Sequence, residues 1–229
     1  MVKLPDLVLE EREGFIIVRD DLLPRGTKRR VAAVLLKGAE ELVYASPAYG
    51  YAQIALAYAC KDADKRATIF TAKRKVLAPR SLQAKEQGAT IVFVPTGYLT
   101  NVQAKARSYA EVSGACLLPF GFDHPDVVVA LADLALSLPV KPYEVWTVAG
   151  SGTLTRALQQ AWPLAQFYAV KIGKEPHAGR AFLFHAPELF EQAAKVNPPF
   201  PSCPQYDAKA WRFVKQHASP GALFWNVGR

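Results

Sequence analysis

The sequence predicts an α/β protein with largely parallel sheets. Short apolar, β-branched runs recur along the 229 residues, and segments with helical spacing of apolar residues separate most of them. Parallel strands joined by crossover helices require that βαβα alternation. The sequence also contains no internal repeat, low-complexity tract or long linker, so the alternation is not that of a repeat array.

The expected strands are 15–18, 42–45, 67–70, 91–94, 116–118, 145–148, 167–170 and 223–225. After the first comes "RDDLLPRGTKRRVAAVLL", residues 19–36, in which Gly26 and Thr27 suit a turn and cap. Val31, Val34 and Leu35 then fall on one helical face. "YAQIALAYACK" (51–61) is an Ala-rich helix entered after Gly50, and "RSLQAKEQG" (80–88) stops at Gly88. "NVQAKARSYAEVSG" (101–114) runs from Asn101 to Gly114, and "HPDVVVALADLALSL" (124–138) carries Pro125 where an early helical position tolerates it. "NPPFPSCP" (197–204) is the most loop-like stretch and leads to a last helix and strand.

The chain is long enough for one large domain or two small ones, and its 51% hydrophobic and 21% charged residues are ordinary globular values. No run of about 18 apolar residues is present. The charged start "MVKLPDLVLEEREG" does not resemble a secretion signal. Cys60, Cys116 and Cys203 are odd in number and form no CxxC, which argues for reduced thiols and a cytoplasmic setting. His124, His177, His185 and His217 form no metal-type pair, so no metal is expected. The net charge is +8, and "KRATIFTAKRKVLAPR" (65–80) holds six cations. This fits either a solvated basic surface or an anionic partner, a phosphate-bearing ligand or nucleic acid. No zinc-finger or RNP pattern decides between them.

Two features break local rules. Lys28, Arg29 and Arg30 occupy the first turn of a helix, where the dipole disfavours cations by about 0.3–1 kcal/mol each. "YEVWTVAGSGTLTRALQQAW" (143–162) reads strand, Gly-Ser-Gly-Thr, helix. Gly150 and Gly152 let a ligand approach the backbone, and Ser151, Thr153 and the first helical N–H groups can donate to an anion. It is neither a Walker A loop nor GxGxxG, because no GK[ST] follows and Thr155 stands where the third glycine belongs. A lysine after the first strand and a late phosphate-type loop together suit pyridoxal phosphate, whose aldehyde condenses with lysine.

The sequence then resembles the fold-type II pyridoxal phosphate enzymes, nearest the branch of 1-aminocyclopropane-1-carboxylate deaminase and D-cysteine desulfhydrase. "RDDLLPRGTKRR" is similar to that branch's lysine segment, with Thr27 in place of the usual asparagine. "VAGSGTLTRAL" resembles its phosphate loop, and "CPQYDAKAWRFVKQHASPGALFWNVGR" resembles its closing block. "YASPAYGYAQIALAYACKDADKRATIF" resembles the block whose Ser-Asn-Gln/His turn contacts cofactor and substrate carboxylate, although Gly50, Tyr51 and Ala52 replace the polar trio. The ordered blocks run from about residue 15 to 228.

This resemblance implies two three-layer α/β subdomains of the tryptophan synthase β-like type with mostly parallel sheets. A small subdomain, 40–120, would be inserted in a large one formed by 1–39 and 121–229. It implies a Schiff base on Lys28, the phosphate at Gly150, Ser151, Gly152 and Thr153, Asp207 at the pyridine nitrogen, and Tyr206 as acid/base or nucleophile. Tyr51 would touch the cofactor, and Gly50, Tyr51 and His124 the substrate. Each has a plainer alternative: Lys28 as a solvated helix lysine, Asp207 as a helix cap, Tyr206 as packing, and His124 as a turn residue.

Three functions fit. One is a lyase or deaminase, commonly dimeric in this family, acting on a small amino acid or amine through a ring-stabilised carbanion. A second keeps the cofactor and acts on an amino-acid group of a hypermodified base, because short basic relatives resemble bacteriophage enzymes that tailor DNA. A third is an inactive fold-type II binding scaffold.

Overall fold

A computed structural model describes residues 4–95 and 97–229. In chain order the elements are β1 Leu9–Arg12, β2 Phe15–Arg19, α1 Gly26–Ala32, β3 Glu41–Ala45, α2 Ala52–Asp62, β4 Arg66–Ala72, α3 Pro79–Glu86, β5 Thr90–Val94 and α4 Leu99–Ser113. There follow β6 Cys116–Leu117, α5 Pro125–Leu136, β7 Glu144–Ala149, α6 Thr153–Ala161, β8 Gln166–Lys171, β9 Phe182–His185, α7 Trp211–His217 and β10 Leu223–Asn226. All eight strands expected from the sequence are present.

The described residues form two compact units, one of Lys28–His124 and one of Leu4–Thr27 with Pro125–Arg229. The division passes through α1, whereas the resemblance places it after residue 39. Arg29 supplies a local reason, since its guanidinium pairs with Asp62 at 2.7 Å and lies 4.7 Å from the Tyr58 ring, both on α2.

The Lys28–His124 unit has a four-stranded sheet, order β5-β4-β3-β6, with every pairing parallel. Val102, Ala106 and Ala110, one face of α4 at four-residue spacing, pack with Val43, Ala45, Phe70 and Val94. Small residues on the helix let it lie close to the sheet.

The other unit has a six-stranded sheet, order β1-β2-β10-β7-β8-β9, in which only β1 is antiparallel to its neighbour. Alternate residues of one strand feed two cores: Val145 packs with Val18, Leu158, Phe167 and Trp225, and Trp146 and Val148 with Ile17, Trp211 and Phe224. Burial on both faces explains why β7 is legible as a continuous apolar run. β1 and β9 are additions to the expected strands. Both lie at sheet edges: β1 reads "LEER" and lacks an apolar run, whereas β9 reads "FLFH", an apolar run that the sequence reading passed over and that is only partly buried. The last helix is also interrupted: a 3-10 turn, Asp207–Ala210, precedes α7. Among the described residues no helix is long and apolar enough to cross a membrane.

Candidate active site

Parallel α/β sheets place their functional loops at the carboxyl ends of the strands. In the Lys28–His124 unit Lys28 meets the segment that follows β6. Its Nζ donates to the Gly121 carbonyl at 2.7 Å and lies 5.3 Å from the Phe122 ring. The backbone bends sharply there, with φ of 72° at Gly121 and 59° at Phe122. A phenylalanine in the left-handed region is strained, and packing over-determines it. The Phe122 ring is fully buried edge-on to Tyr44 at 5.4 Å, and the Gly121 N–H donates to the Tyr44 hydroxyl at 3.2 Å. Burial lowers the Lys28 amine to about 8, against the opposing pull of the Asp123 carboxylate. A first-turn lysine thus has a larger share of its amine in the neutral, nucleophilic form than an exposed lysine has.

Gly50 and Tyr51 lie at the carboxyl end of β3. A side chain at Gly50 would come within 2.6 Å of Ser46 Oγ and 3.0 Å of the Pro47 carbonyl oxygen, so the turn is tight there and a larger residue would displace Ser46. The Tyr51 ring lies under the Arg80 guanidinium at 4.5 Å. Sequence reading overlooked Gln53. It is fully buried, and its amide donates to the carbonyls of Pro47, Ala48 and Gly50 while its oxygen accepts from Ser81 Oγ at 2.9 Å. A glutamine in an Ala-rich helix, three residues past a glycine turn, was the available signal. His124 is half-buried, its N–H bonded to Phe122 O at 2.9 Å, immediately before Pro125 opens α5.

In the other unit the loop after β7 carries Gly150–Thr153 into α6. Gly152 adopts φ 90°, and a side chain there would sit 2.1 Å from the His177 carbonyl oxygen. Ser151 Oγ and Thr153 Oγ1 are 2.9 Å apart, and Thr155, the residue that breaks the dinucleotide motif, bonds Thr147 on β7 at 2.8 Å. Tyr206 reaches the same loop: its hydroxyl accepts the Gly150 N–H at 3.1 Å and lies as close to where a Gly150 side chain would stand.

Asp207 is buried. Oδ2 accepts the Gly228 N–H at 3.1 Å, beyond the end of β10, whereas Oδ1 is a buried oxygen with no hydrogen-bond partner among the described residues. Burial pushes its carboxyl well above the usual range, against backbone N–H groups of Val227 and Gly228, and the Asp21 charge adds to the rise. The alternative of a side-chain helix cap is not what this carboxylate does. Lys209, two residues on, is buried with Nζ on the Leu189 carbonyl at 2.9 Å. Thr27, anomalous in the sequence, also has a physical reason here. Its hydroxyl donates to Asp20 Oδ2 at 2.6 Å and accepts from the Trp225 indole at 3.1 Å, all three buried.

Within the unit of Leu4–Thr27 and Pro125–Arg229, Asp207 and the loop after β7 have the chemistry that pyridoxal phosphate needs. An orphaned buried carboxylate oxygen suits a ring nitrogen that carries or takes a proton, and a glycine-built loop at a helix start suits a phosphate.

No protein-family model matches the sequence, and no curated protein matches it. Solved structures do share its fold. A homologue of ACC deaminase aligns with a TM-score of 0.80 at 16% identity, over 93% of this chain and 84% of that one. Serine racemase from Dictyostelium discoideum aligns at 0.69 and 13% identity, over 97% and 91% of the two chains. A threonine deaminase from T.th. aligns at 0.68 and 16%, over 93% and 86%. The chain therefore has the mostly parallel α/β fold, fold type II, that its sequence predicted.

Proposed function

We propose that the protein is a pyridoxal phosphate-dependent lyase or deaminase acting on an amino acid or amine, with Lys28 as the residue that carries the cofactor. The observation that bears most weight is the unpartnered Oδ1 of Asp207. Leaving a buried polar atom unpaired costs about 1–3 kcal/mol, and a ring nitrogen would remove that cost. The fold shared with deaminases and a racemase supports the reading.

When bound, the cofactor supplies an electron sink that stabilises a carbanion at the amine-bearing carbon. The chain's own residues do the rest. Lys28, its amine lowered to about 8, would carry the cofactor and would hold or move a proton at Nζ. The Gly121 carbonyl orients that nitrogen. Asp207 Oδ1 would hold a proton for the ring nitrogen and so would favour the charge that the sink needs. Ser151, Thr153 and the start of α6 bind phosphate, and Tyr206 shares that loop through Gly150. Gly50, Tyr51 and His124 contribute to the substrate side. The orientation of the bond that breaks selects elimination, deamination or decarboxylation.

The test is the visible spectrum of purified protein with pyridoxal phosphate, before and after borohydride, beside Lys28→Ala. The expected result is a yellow band that borohydride traps and the variant lacks. No band in the wild type would remove the enzyme reading and leave the inactive scaffold.

A further inference from the structure

The protein's positive charge is distributed unevenly. Residues 28–124 contain fourteen Lys/Arg and seven Asp/Glu, a net of +7, while the rest of the chain contains fourteen and thirteen. Within the basic unit, charge is further sorted along the strand direction. Glu40 and Glu41 stand at the start of β3, paired with Lys65 and Arg66 at the start of β4. Asp62, Asp64, Glu86 and Glu111 lie at or just beyond the far ends of α2, α3 and α4, which run back towards the amino ends of the strands. Asp123, beside Lys28, is the one carboxylate outside this group. From Lys65 to Lys85 there are seven cations and no carboxylate.

The carboxyl ends of β4 and β5 therefore form a cationic edge. Lys73, Arg74 and Lys75 are exposed, and the Lys73 N–H donates to the Val94 carbonyl at 2.8 Å, fixing this loop beside the end of β5. The Arg74 and Arg80 guanidinium groups are held over the Tyr49 and Tyr51 rings at 5.5 and 4.5 Å. Exposed aromatics accompany the cations: Phe93, in β5 itself, is 46% exposed, and Tyr98, just past that strand, is 77% exposed. A purely solvated basic face explains the cations but not bare rings set beside them. Cations that follow a phosphate backbone, next to rings on which unpaired bases stack, are the requirements for holding a single strand.

We propose that this edge binds single-stranded nucleic acid. The amine processed by the enzyme is then a group carried on that strand, a step that rests on the function proposed above; the binding itself does not.

Fluorescence anisotropy of a labelled 20-residue oligothymidylate across a salt series tests it, with the full chain loaded with pyridoxal phosphate. Binding should weaken steeply as salt rises. The combined variant Lys73→Gln, Arg74→Gln, Lys75→Gln should lower the slope of log affinity against log salt by about 2, from ~0.7 per phosphate contact on single strands. Tyr98→Ala should weaken binding by about tenfold at constant salt. A control variant of exposed lysines in the other unit, Lys141→Gln, Lys174→Gln, Lys195→Gln, should leave the slope unchanged.

Absence of binding at low salt, or a slope the Lys73–Lys75 variant does not alter, would overturn the proposal. Equal affinity for a duplex with no effect of Tyr98→Ala would overturn its single-strand form. The cofactor's visible band, read on the same samples, separates this failure from failure of the enzyme reading.

Discussion

Lys28, partly buried, and Asp207, fully buried, are two titratable groups shifted in opposite directions by one cause. Burial takes water from both and so favours the neutral form of each, lowering the amine and raising the acid. Their compensation differs. The Lys28 nitrogen rests on a carbonyl and near an aromatic ring, so a proton on it is partly stabilised. Asp207 has one oxygen bonded to the Gly228 N–H, and the other has no hydrogen-bond partner among the described residues. The difference teaches that Lys28 is poised to react, whereas Asp207 is poised to receive a partner.

The largest expected effect concerns Lys28. Only the neutral amine attacks an aldehyde, and the fraction neutral rises tenfold per pH unit below the group's pKa. The rate at which the visible band grows after adding pyridoxal phosphate should therefore climb about tenfold per unit and level off near pH 8. Stopped-flow absorbance from about pH 6 to about pH 11.5 measures this. Levelling near the ordinary lysine value of 10.5 would mean that burial does not act on Lys28 as described.

Asp207→Asn sharpens the other side of the comparison. A carboxyl whose pKa is raised on folding destabilises the protein as pH increases above its unfolded value, because the unfolded chain releases the proton first. Below that value the penalty vanishes. Without cofactor, the variant should match or exceed the wild type by about 1–3 kcal/mol at pH 7, and the advantage should shrink towards pH 4. Urea melts at both pH values read it. With pyridoxal phosphate present the order should reverse, since the wild type then gains its partner.

The smallest effect is at Tyr206. If its hydroxyl serves the phosphate loop through the Gly150 N–H, Tyr206→Phe should weaken pyridoxal phosphate by about fivefold, the worth of one ordinary hydrogen bond. Unphosphorylated pyridoxal should bind nearly as before. Equal losses for both ligands would place the hydroxyl's role at the ring or substrate instead.

Much of this was legible because it is local. The apolar runs that became β3, β4 and β7 are buried along their length, so hydrophobicity alone marks them. Gly88 and Gly114 ended their helices in the left-handed region, as their positions suggested. Edge strands escaped notice since one side of β1 meets solvent and tolerates Glu10 and Arg12. Gln53 escaped because a buried polar side chain reads as a surface one until its partners are seen.

The sequence by itself determined the order of strands and helices, the position of a lysine in a first turn, the glycine loop, and the concentration of cations between Lys65 and Lys85. Those follow from residue type and spacing. Only the tertiary structure decided that Lys28 is desolvated, that Thr27 serves Asp20 and Trp225, and that Asp207 keeps one oxygen unpaired. The reason is physical. Desolvation and hydrogen-bond satisfaction depend on chain brought in from far away, such as Gly121 for Lys28 and Trp225 for Thr27, and no local pattern encodes those neighbours.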